Sequence, residues 1–416
     1  MSRIVLGVAG GIAAYKACEL LRRLQADGHD VTVVPTAAAL EFVGAATWAA
    51  LSGKPVHTSV FDDVHEVPHV RLGQQADLVV VAPATADLLA RAATGRAEDL
   101  LTSTLLTAHC PVVFAPAMHT EMWLHPATQA NVATLRSRGC LVVDPDSGRL
   151  TGPDSGPGRL PDPAELTAVV TAVLADPSIV ERGARRDLAG LRVVVSAGGT
   201  REHLDPVRFL GNRSSGLMGW ALARAAVLRG AEVELVAANV TLPAPPGVAV
   251  HKVVSTADLA TAMTERAAAA DLVVMAAAPA DFTPGSRSDT KIKKDGDGGL
   301  LVDLVQTVDV LATLVRARTD PHQVLVGFAA ETPTADNTLV DLGRAKLRRK
   351  GCDVLVLNEV GEDKAFGRLD NEIVLLTPGR NEADGTDAHA DGPYAGSKDF
   401  LAHLIWDCAL QQRSRR

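Results

Sequence analysis

Short apolar runs recur through the first half of the chain, at Ile4–Val8, Val31–Val34, Leu78–Ala82, Val112–Ala115 and Leu141–Val143, with helical patterns between them. Strands that are apolar throughout and alternate with helices predict a parallel sheet covered on both faces. From Asp144 to Pro163 the chain turns dense in Pro, Gly, Ser and Asp. A structureless stretch of that length inside a compact domain predicts a functional lid rather than a linker. A helix over Ala164–Leu174 closes this half. The polar segment Asp176–Gly190, with Glu181–Asp187 at its centre, predicts the boundary, so that the domains run 1–182 and 186–416. A second series of the same kind then begins, with strands expected at Val193–Ser196, Val233–Ala237, Leu272–Ala276, Val324–Gly327 and Val354–Leu357. The polar, glycine-rich stretch Gly379–Ser397 reads as a surface loop and Lys398–Gln411 as a terminal helix. The expectation is α/β, two doubly wound domains without an aligned internal repeat.

Composition narrows the function classes. A hydrophobic content of 47% with only 3% aromatics describes buried Val, Ala and Leu rather than a disordered or fibrous chain. A net charge of −8 opposes general nucleic-acid binding, so an anionic substrate must be held by local cations. The five cysteines, Cys18, Cys110, Cys140, Cys352 and Cys408, show no CxxC and no zinc-ligand spacing, which fits a reducing cytoplasm. The apolar N-terminus continues through Tyr15–Glu19 into an amphipathic helix without a cleavage site, which opposes a secretion signal. No apolar run approaches the roughly 20 residues of a membrane helix. A cytoplasmic enzyme of small molecules, with neither nucleic acid nor membrane as partner, is expected.

Two segments carry the chemistry of the second half. Ser196-Ala-Gly-Gly-Thr-Arg-Glu202 follows an apolar strand and runs on through Asp205-Pro-Val-Arg208 to Asn212-Arg-Ser-Ser-Gly-Leu-Met-Gly219. Its glycines fall where bare backbone N–H groups can face phosphate oxygens. Lys291-Ile-Lys-Lys294 supplies cations. Glycine after a strand is by itself only a tight turn, and a short lysine cluster only a solvated face; together they read as a nucleoside triphosphate site. In the first half Gly10-Gly11-Ile12 joins the first strand to the first helix. Ala82-Pro83-Ala84-Thr85-Ala86-Asp87 and Ala115-Pro116-Ala117-Met118 end later strands, and Gly156-Pro157-Gly158-Arg159 lies in the Pro/Gly-rich stretch. All belong to the edge where doubly wound sheets bind ligands.

The second-half motifs resemble the ligase part of the bifunctional phosphopantothenoylcysteine decarboxylase / phosphopantothenate-cysteine ligase family of coenzyme A synthesis, and the first-half motifs resemble its flavin-dependent decarboxylase part. The likeness spans roughly residues 3 to 175 and 190 to 410. It implies a flavodoxin-like flavoprotein domain followed by a Rossmann-like nucleotide-binding domain. Carried over by position, Gly11, Ile12, Thr36, Pro83, Thr85, Thr102 and Met118 would surround FMN, and His69 would be catalytic. Thr151, Asp154, Gly156, Gly158 and Arg159 would form the substrate flap. Gly198, Met275, Ala276, Ala277, Asp281, Lys291, Val308, Asp309, Val310, Phe328, Lys346 and Lys350 would hold CTP, with Asn212 assisting amine attack. Mg²⁺ is implied beside the phosphates, without assigned ligands. The family also implies a homo-oligomer, trimeric through the flavin domain and dimeric through the ligase domain.

Three positions depart from the family. His119 stands where it has asparagine, the flap segment Leu150–Gly156 lacks the cysteine that protonates the intermediate, and Leu217 replaces a common lysine. His119 and Asp154 are the candidate replacement proton donors.

The implied chemistry is coherent. A free carboxylate resists amines, so 4'-phosphopantothenate must first be activated, here as an acyl-cytidylate with loss of pyrophosphate. Lysines and Mg²⁺ neutralise the anions brought together. Loss of CO₂ from the cysteinyl product needs an electron sink, which reversible thiol oxidation by FMN provides without net redox change. An alternative keeps the fold but makes the first half a flavin-binding or flavin-prenyltransferase-like domain without decarboxylase activity, fused to the ligase.

Overall fold

The computed structural model describes residues 1–61, 67–150, 154–293, 299–333, 336–359, 370–379 and 388–416. Thr151 and Lys294 lie outside the described residues. The chain divides into one unit of Met1–Asp187 with Leu228–Gly230 and a second of Leu188–Val227 with Ala231–Arg416. The helix Ser178–Arg185 crosses the expected 182/186 boundary, so the division follows that helix instead.

In the first unit β1 (Arg3–Val8), β2 (Asp30–Pro35), β3 (Leu78–Ala84), β4 (Val112–Pro116) and β5 (Leu141–Val142) form a parallel sheet in the order β2-β1-β3-β4-β5. Successive side chains of a strand point to opposite faces. Ile4, Leu6 and Val8 of β1 therefore enter one core with Leu20, Leu24 and Trp48, while Val5 enters the other with Leu88 and Leu101. Each such side chain contributes about 1.5–3 kcal/mol, which is why the strands read as unbroken apolar runs. The stretch expected to be structureless is an antiparallel ribbon, β6 (Asp146–Arg149) with β7 (Ser155–Arg159). Its strands bury little, so no apolar alternation marked them.

The second unit continues with β8 (Arg192–Gly198), β9 (Arg201–His203), β10 (Phe209–Gly211), β11 (Glu232–Ala238), β12 (Val248–Val253), β13 (Leu272–Met275), β14 (Phe282–Pro284), β15 (Leu304–Gln306), β16 (Val324–Glu331), β17 (Val354–Glu359), β18 (Asp370–Thr377) and β19 (His389–Ser397). Eight of these make one sheet, β12-β11-β8-β13-β16-β17-β18-β19, parallel as far as β17 and antiparallel beyond it. β9 with β10 and β14 with β15 are separate two-stranded ribbons. Val193 and Val195 face one core and Val194 the other. The expected surface loop Gly379–Ser397 is corrected in its second part, where β19 pairs with β18. β19 is an edge strand with a mostly solvated pattern and carries Gly392-Pro393, residues tolerated at an edge but not inside a sheet. Among the described residues no single helix is long and apolar enough to cross a membrane.

Candidate functional site

Parallel strands bring their carboxyl ends to one edge. In the first unit this edge carries the loops after β1, β2, β3 and β4. Thr36 N–H donates to Val8 O (2.9 Å), and its hydroxyl accepts from Ala39 N (3.2 Å), capping the helix Ala37–Leu40. Thr85 caps the helix Ala86–Thr94 in the same way, accepting from Leu88 N at 3.3 Å. Ala9 N donates to Pro83 O (3.1 Å), beside the cis Ala82–Pro83 bond, and ties the first loop to the third. A methyl group on Gly11 would lie 3.7 Å from Thr85 Cγ2, so these two expected flavin residues converge. A methyl on Gly10 would overlap Ala38 Cβ at 2.4 Å, which makes Gly10 a packing residue. Ile12 is 73% exposed on this loop. Open backbone at Gly11, an uncovered apolar side chain and a capped helix start together fit a phosphate and a flat ring.

The flap ribbon is seated on the segment after β4. Met118 N donates to Gly158 O (2.9 Å); at Gly158, with φ +150°, a methyl would stand 2.1 Å from Met118 O. A methyl on Gly156 would meet Thr120 Oγ1 at 2.5 Å. Leu150 N donates to Asp154 O (2.8 Å) and closes the ribbon, while Asp154 itself is exposed. Arg159 crosses Gly148. Burial and then the Arg159 charge push the Lys16 ammonium below the usual lysine range, and Lys16 donates to Leu160 O (3.3 Å). His119 is exposed and precedes the helix Thr120–Leu124 without capping it by its side chain.

Two further expected residues lie on helices. The Thr102 hydroxyl, 2% exposed, donates to Asp99 Oδ1 (2.7 Å) while Asp99 accepts from Thr102 N (2.8 Å), so that hydroxyl serves the start of the helix Leu100–Thr107. His69 lies in the first turn of the helix Pro68–Gln75, and its carbonyl accepts from Thr107 Oγ1 (2.7 Å). Its Nδ1 is buried without a hydrogen-bond partner. The preceding Val67 has φ +45°, a conformation that costs a β-branched residue roughly 1–2 kcal/mol and concentrates at functional sites.

In the second unit a cleft of about 540 Å³ opens at the carboxyl edge. It is lined by Asn212–Gly219, Met275–Phe282, Gln306–Leu311 and Phe328, and by Lys346, Arg349 and Lys350 from the helix Leu339–Lys350. Of the expected CTP residues, Met275, Ala276, Ala277, Asp281, Val308, Asp309, Val310, Phe328, Lys346 and Lys350 meet here, with Asn212. Ala277 N donates to Ser196 Oγ (3.1 Å), Ala278 N to Gly198 O (2.8 Å) and Ala280 N to Thr200 Oγ1 (2.8 Å), which hold the Ala276–Asp281 turn against β8. Asn212 Nδ2 donates to Pro279 O (2.8 Å) and ties the glycine-rich loop to that turn. Lys346 pairs with Glu331 (2.8 Å) and Lys350 with Asp309. Desolvation raises the Asp309 pKa, but Lys350 and the Ala312 N–H outweigh it and hold the carboxyl below the usual range.

Gly198 and Lys291 are not part of the cleft lining. Gly198, at φ +86°, has its α-carbon so close to β11 that a methyl would stand 2.1 Å from Ala238 O, a packing role. Lys291 is exposed, and the following residue is anchored: Ile292 N donates to Asp205 Oδ2 (3.1 Å), and Arg208 Nη2 to Ile292 O (2.8 Å). Asp205, with 0% exposure, also accepts from Val207 N and Arg208 N, each at 2.7 Å. The Asp205-Pro-Val-Arg208 motif is therefore the anchor of the lysine segment. Burial alone would raise the Asp205 pKa; the three backbone N–H donors and Arg208 overcome it and hold the carboxyl low. A depressed folded-state pKa stabilises above the unfolded value of about 3.9 and is lost as pH falls through the folded pKa. Asp205→Asn should therefore flatten the fall in melting temperature between about pH 5 and about pH 2; a curve parallel to that of the unsubstituted protein would deny Asp205 this role.

Asn358, Asn371 and Lys398 also line the cleft and were not foreseen. β18 and β19 carry or precede the last two, and neither strand was expected. Among the described residues no three His, Cys, Asp or Glu side chains are grouped to cage a metal ion.

A family model for flavoproteins matches residues 1–175, and one for the C-terminal domain of DNA/pantothenate metabolism flavoproteins matches residues 188–407. The chain is 56% identical over 410 residues to the coenzyme A biosynthesis bifunctional protein CoaBC of Mycolicibacterium smegmatis, covering 97% of this chain and 96% of that one. It is 43% identical over 378 residues to the protein of the same name from Vibrio cholerae, covering 90% and 91%. Among solved structures, the C-terminal domain of a CoaBC protein matches 55% of this chain and 97% of its own, at 30% identity and a TM-score of 0.43. A PPC decarboxylase mutant complexed with pantothenoylaminoethenethiol matches 41% of this chain and 96% of its own, at 27% identity and a TM-score of 0.37.

Proposed function

Since the chain belongs to the family of bifunctional coenzyme A biosynthesis proteins, enzymes with a flavoprotein decarboxylase half and a ligase half, we propose that its second unit couples 4'-phosphopantothenate to cysteine with CTP and that its first decarboxylates the product with FMN. The observation that carries this reading is the cleft that gathers the Asn212–Gly219 loop, the Ala276–Asp281 turn and the lysines of the helix Leu339–Lys350. Loop N–H groups and the start of the helix Leu217–Leu228 face phosphate oxygens, and Asp281 together with the adjoining backbone accepts the donors of cytidine. Phosphopantothenate attacks the α-phosphate, pyrophosphate leaves, and the amine of cysteine displaces CMP. Lys346 and Lys350 exchange Glu331 and Asp309 for phosphate. Asn212, fixed at Pro279 O (2.8 Å), holds the acyl carbonyl for the amine.

In the first unit the Gly11, Thr36, Pro83, Thr85 and Met118 edge would hold FMN, which when bound supplies a reversible two-electron acceptor. The ribbon seated on Met118 shields the substrate from water. His69 handles the carboxylate or a proton, a task suited to an imidazole near neutral pH. With no cysteine on the described ribbon, His119 is the preferred proton donor and Asp154, whose carbonyl closes the ribbon, the lesser one. Both reactions belong in the cytoplasm, in a homo-oligomer.

The test is pyrophosphate release from CTP on adding phosphopantothenate and cysteine; no release with CTP would overturn the ligase reading. Asn212→Asp should still release pyrophosphate while coupling falls by on the order of 10², so that acyl-cytidylate accumulates on mass spectrometry. Loss of both steps together would instead make Asn212 a nucleotide-binding residue.

A further inference from the structure

The Gly198-Gly199-Thr200 step of the glycine-rich motif lies behind the cleft, for none of these three residues is in the cleft lining. Contact with phosphate therefore does not explain it. What the segment touches is the back of two walls of that cleft. A methyl on Gly199 would stand 2.4 Å from Asn212 O, so the start of the Asn212–Gly219 loop rests on bare backbone there. The next residue, Thr200, is 1% exposed, and its hydroxyl accepts from Ala280 N (2.8 Å) in the Ala276–Asp281 turn. Consecutive residues thus carry the two loops that Asn212 Nδ2 joins by donating to Pro279 O (2.8 Å).

The Thr200 hydroxyl is itself held. It lies 2.9 Å from the hydroxyl of Thr256, also 1% exposed, and Thr256 Oγ1 donates to Ala280 O at 3.4 Å. A hydroxyl has one proton to give. With that of Thr256 directed to Ala280 O, the proton between the two hydroxyls is that of Thr200. A closed ring results, from Ala280 N–H to Thr200, from Thr200 to Thr256 and from Thr256 back to Ala280 O. Thr256 is fixed in turn: its N–H donates to Oε1 of Glu202 (2.8 Å), 5% exposed, at the start of the helix Thr256–Ala267. An acidic side chain there suits the helix dipole. Thr307 Oγ1 donates to the same Ala280 O at 2.6 Å, so the carbonyl has two donors whereas the N–H has one acceptor. Removing the Thr200 hydroxyl would strand a buried N–H, which the turn can satisfy again only by moving.

We propose that Thr200 is a positioning residue of the ligase reaction, which by holding Ala280 sets Pro279 O, and through it Asn212, in register with the Asp281 end of the turn. The proposal rests on the CTP reading of the cleft. Thr200→Val keeps the shape of the side chain and removes the hydroxyl alone.

At saturating CTP, Thr200→Val should couple cysteine more slowly by on the order of 10², with the KM for CTP raised about tenfold. Acyl-cytidylate should accumulate relative to product, read by mass spectrometry. Thr200→Ser, which keeps the hydroxyl, should restore both the KM and the ratio of intermediate to product. Thr256→Val should lose far less, because Ala280 N–H keeps Thr200 and Ala280 O keeps Thr307. A merely structural role would lower the melting temperature and the number of active sites while leaving that KM and that ratio as they are. An unchanged KM and ratio in Thr200→Val would therefore overturn the proposal, as would no rescue by Thr200→Ser or an equal loss in Thr256→Val. In the unsubstituted protein without nucleotide, the Ala280 amide should exchange its hydrogen as slowly as that of Val274 in β13, an arm independent of how the variants fold; rapid exchange would also overturn it. Absence of CTP-dependent pyrophosphate release from the unsubstituted protein would instead be a failure of the underlying ligase reading.

Discussion

Lys291→Gln is expected to lower pyrophosphate release from CTP by a factor on the order of 10² or more, with folding and nucleotide affinity changed far less. The carboxylate and the α-phosphate repel each other as they meet, and a cation delivered at that moment acts on the transition state more than on the bound reactants. On the proposed ligase reading, the anchoring of the neighbouring backbone would deliver this cation. Lys291 is exposed, outside the cleft lining, but Ile292 is tied by its N–H to buried Asp205 and by its carbonyl to Arg208. The segment is thus held by its backbone while the Lys291 side chain extends from it. Asp205→Ala should reproduce much of the Lys291→Gln loss without removing a lysine, because it unties that backbone. Stopped-flow measurement of pyrophosphate from saturating CTP tests both; near-normal release from Lys291→Gln would remove it from the activation step. An impaired Lys291→Gln beside an active Asp205→Ala would mean that the anchor does not position the lysine.

The second large effect is expected at Gly158. A methyl group there would stand 2.1 Å from Met118 O, and its φ of +150° is one that side chains avoid. Gly158→Ala must push the ribbon off the segment after β4 and lose the Met118 N–H bond, at a cost of about 1–3 kcal/mol for the overlap alone. Decarboxylation should fall by on the order of 10² through loss of positioning, while CTP-dependent pyrophosphate release, proposed for the other unit, stays normal. CO₂ release from phosphopantothenoylcysteine measures it. Unimpaired release would show that the ribbon need not sit on Met118 for turnover.

What the sequence disclosed follows from burial. Val79, Val80 and Val81 are inaccessible on both faces of a parallel sheet, and a strand of that kind cannot hide among polar residues. β12 and β19 end the larger sheet, one side of each lies in water, and their residues carry no comparable run. The ribbon β6/β7 was read as structureless because its pairing is made by backbone and glycine. Sites followed the same logic. Residues on the loops directly after inner strands, such as Thr85 and Asp281, are legible as candidates because an apolar run precedes each of them. Lys398 is not, because it reaches the cleft only through the antiparallel return of β18 and β19. Its one local sign was a lysine at the start of a helix, where the dipole favours acids.

Lys346 and Lys350 are already partnered by Glu331 and Asp309. These two carboxylates behave as resident counterions, so that on the proposed CTP reading nucleotide entry would be an exchange of one anion for another rather than the filling of a bare positive well. Fewer mobile ions are then expelled than the number of lysines suggests, and CTP affinity should depend on salt less steeply than the lysine count implies. Selectivity gains as well. A monoanion of weak charge cannot outcompete a tethered carboxylate, whereas a triphosphate, able to engage several lysines at once, can.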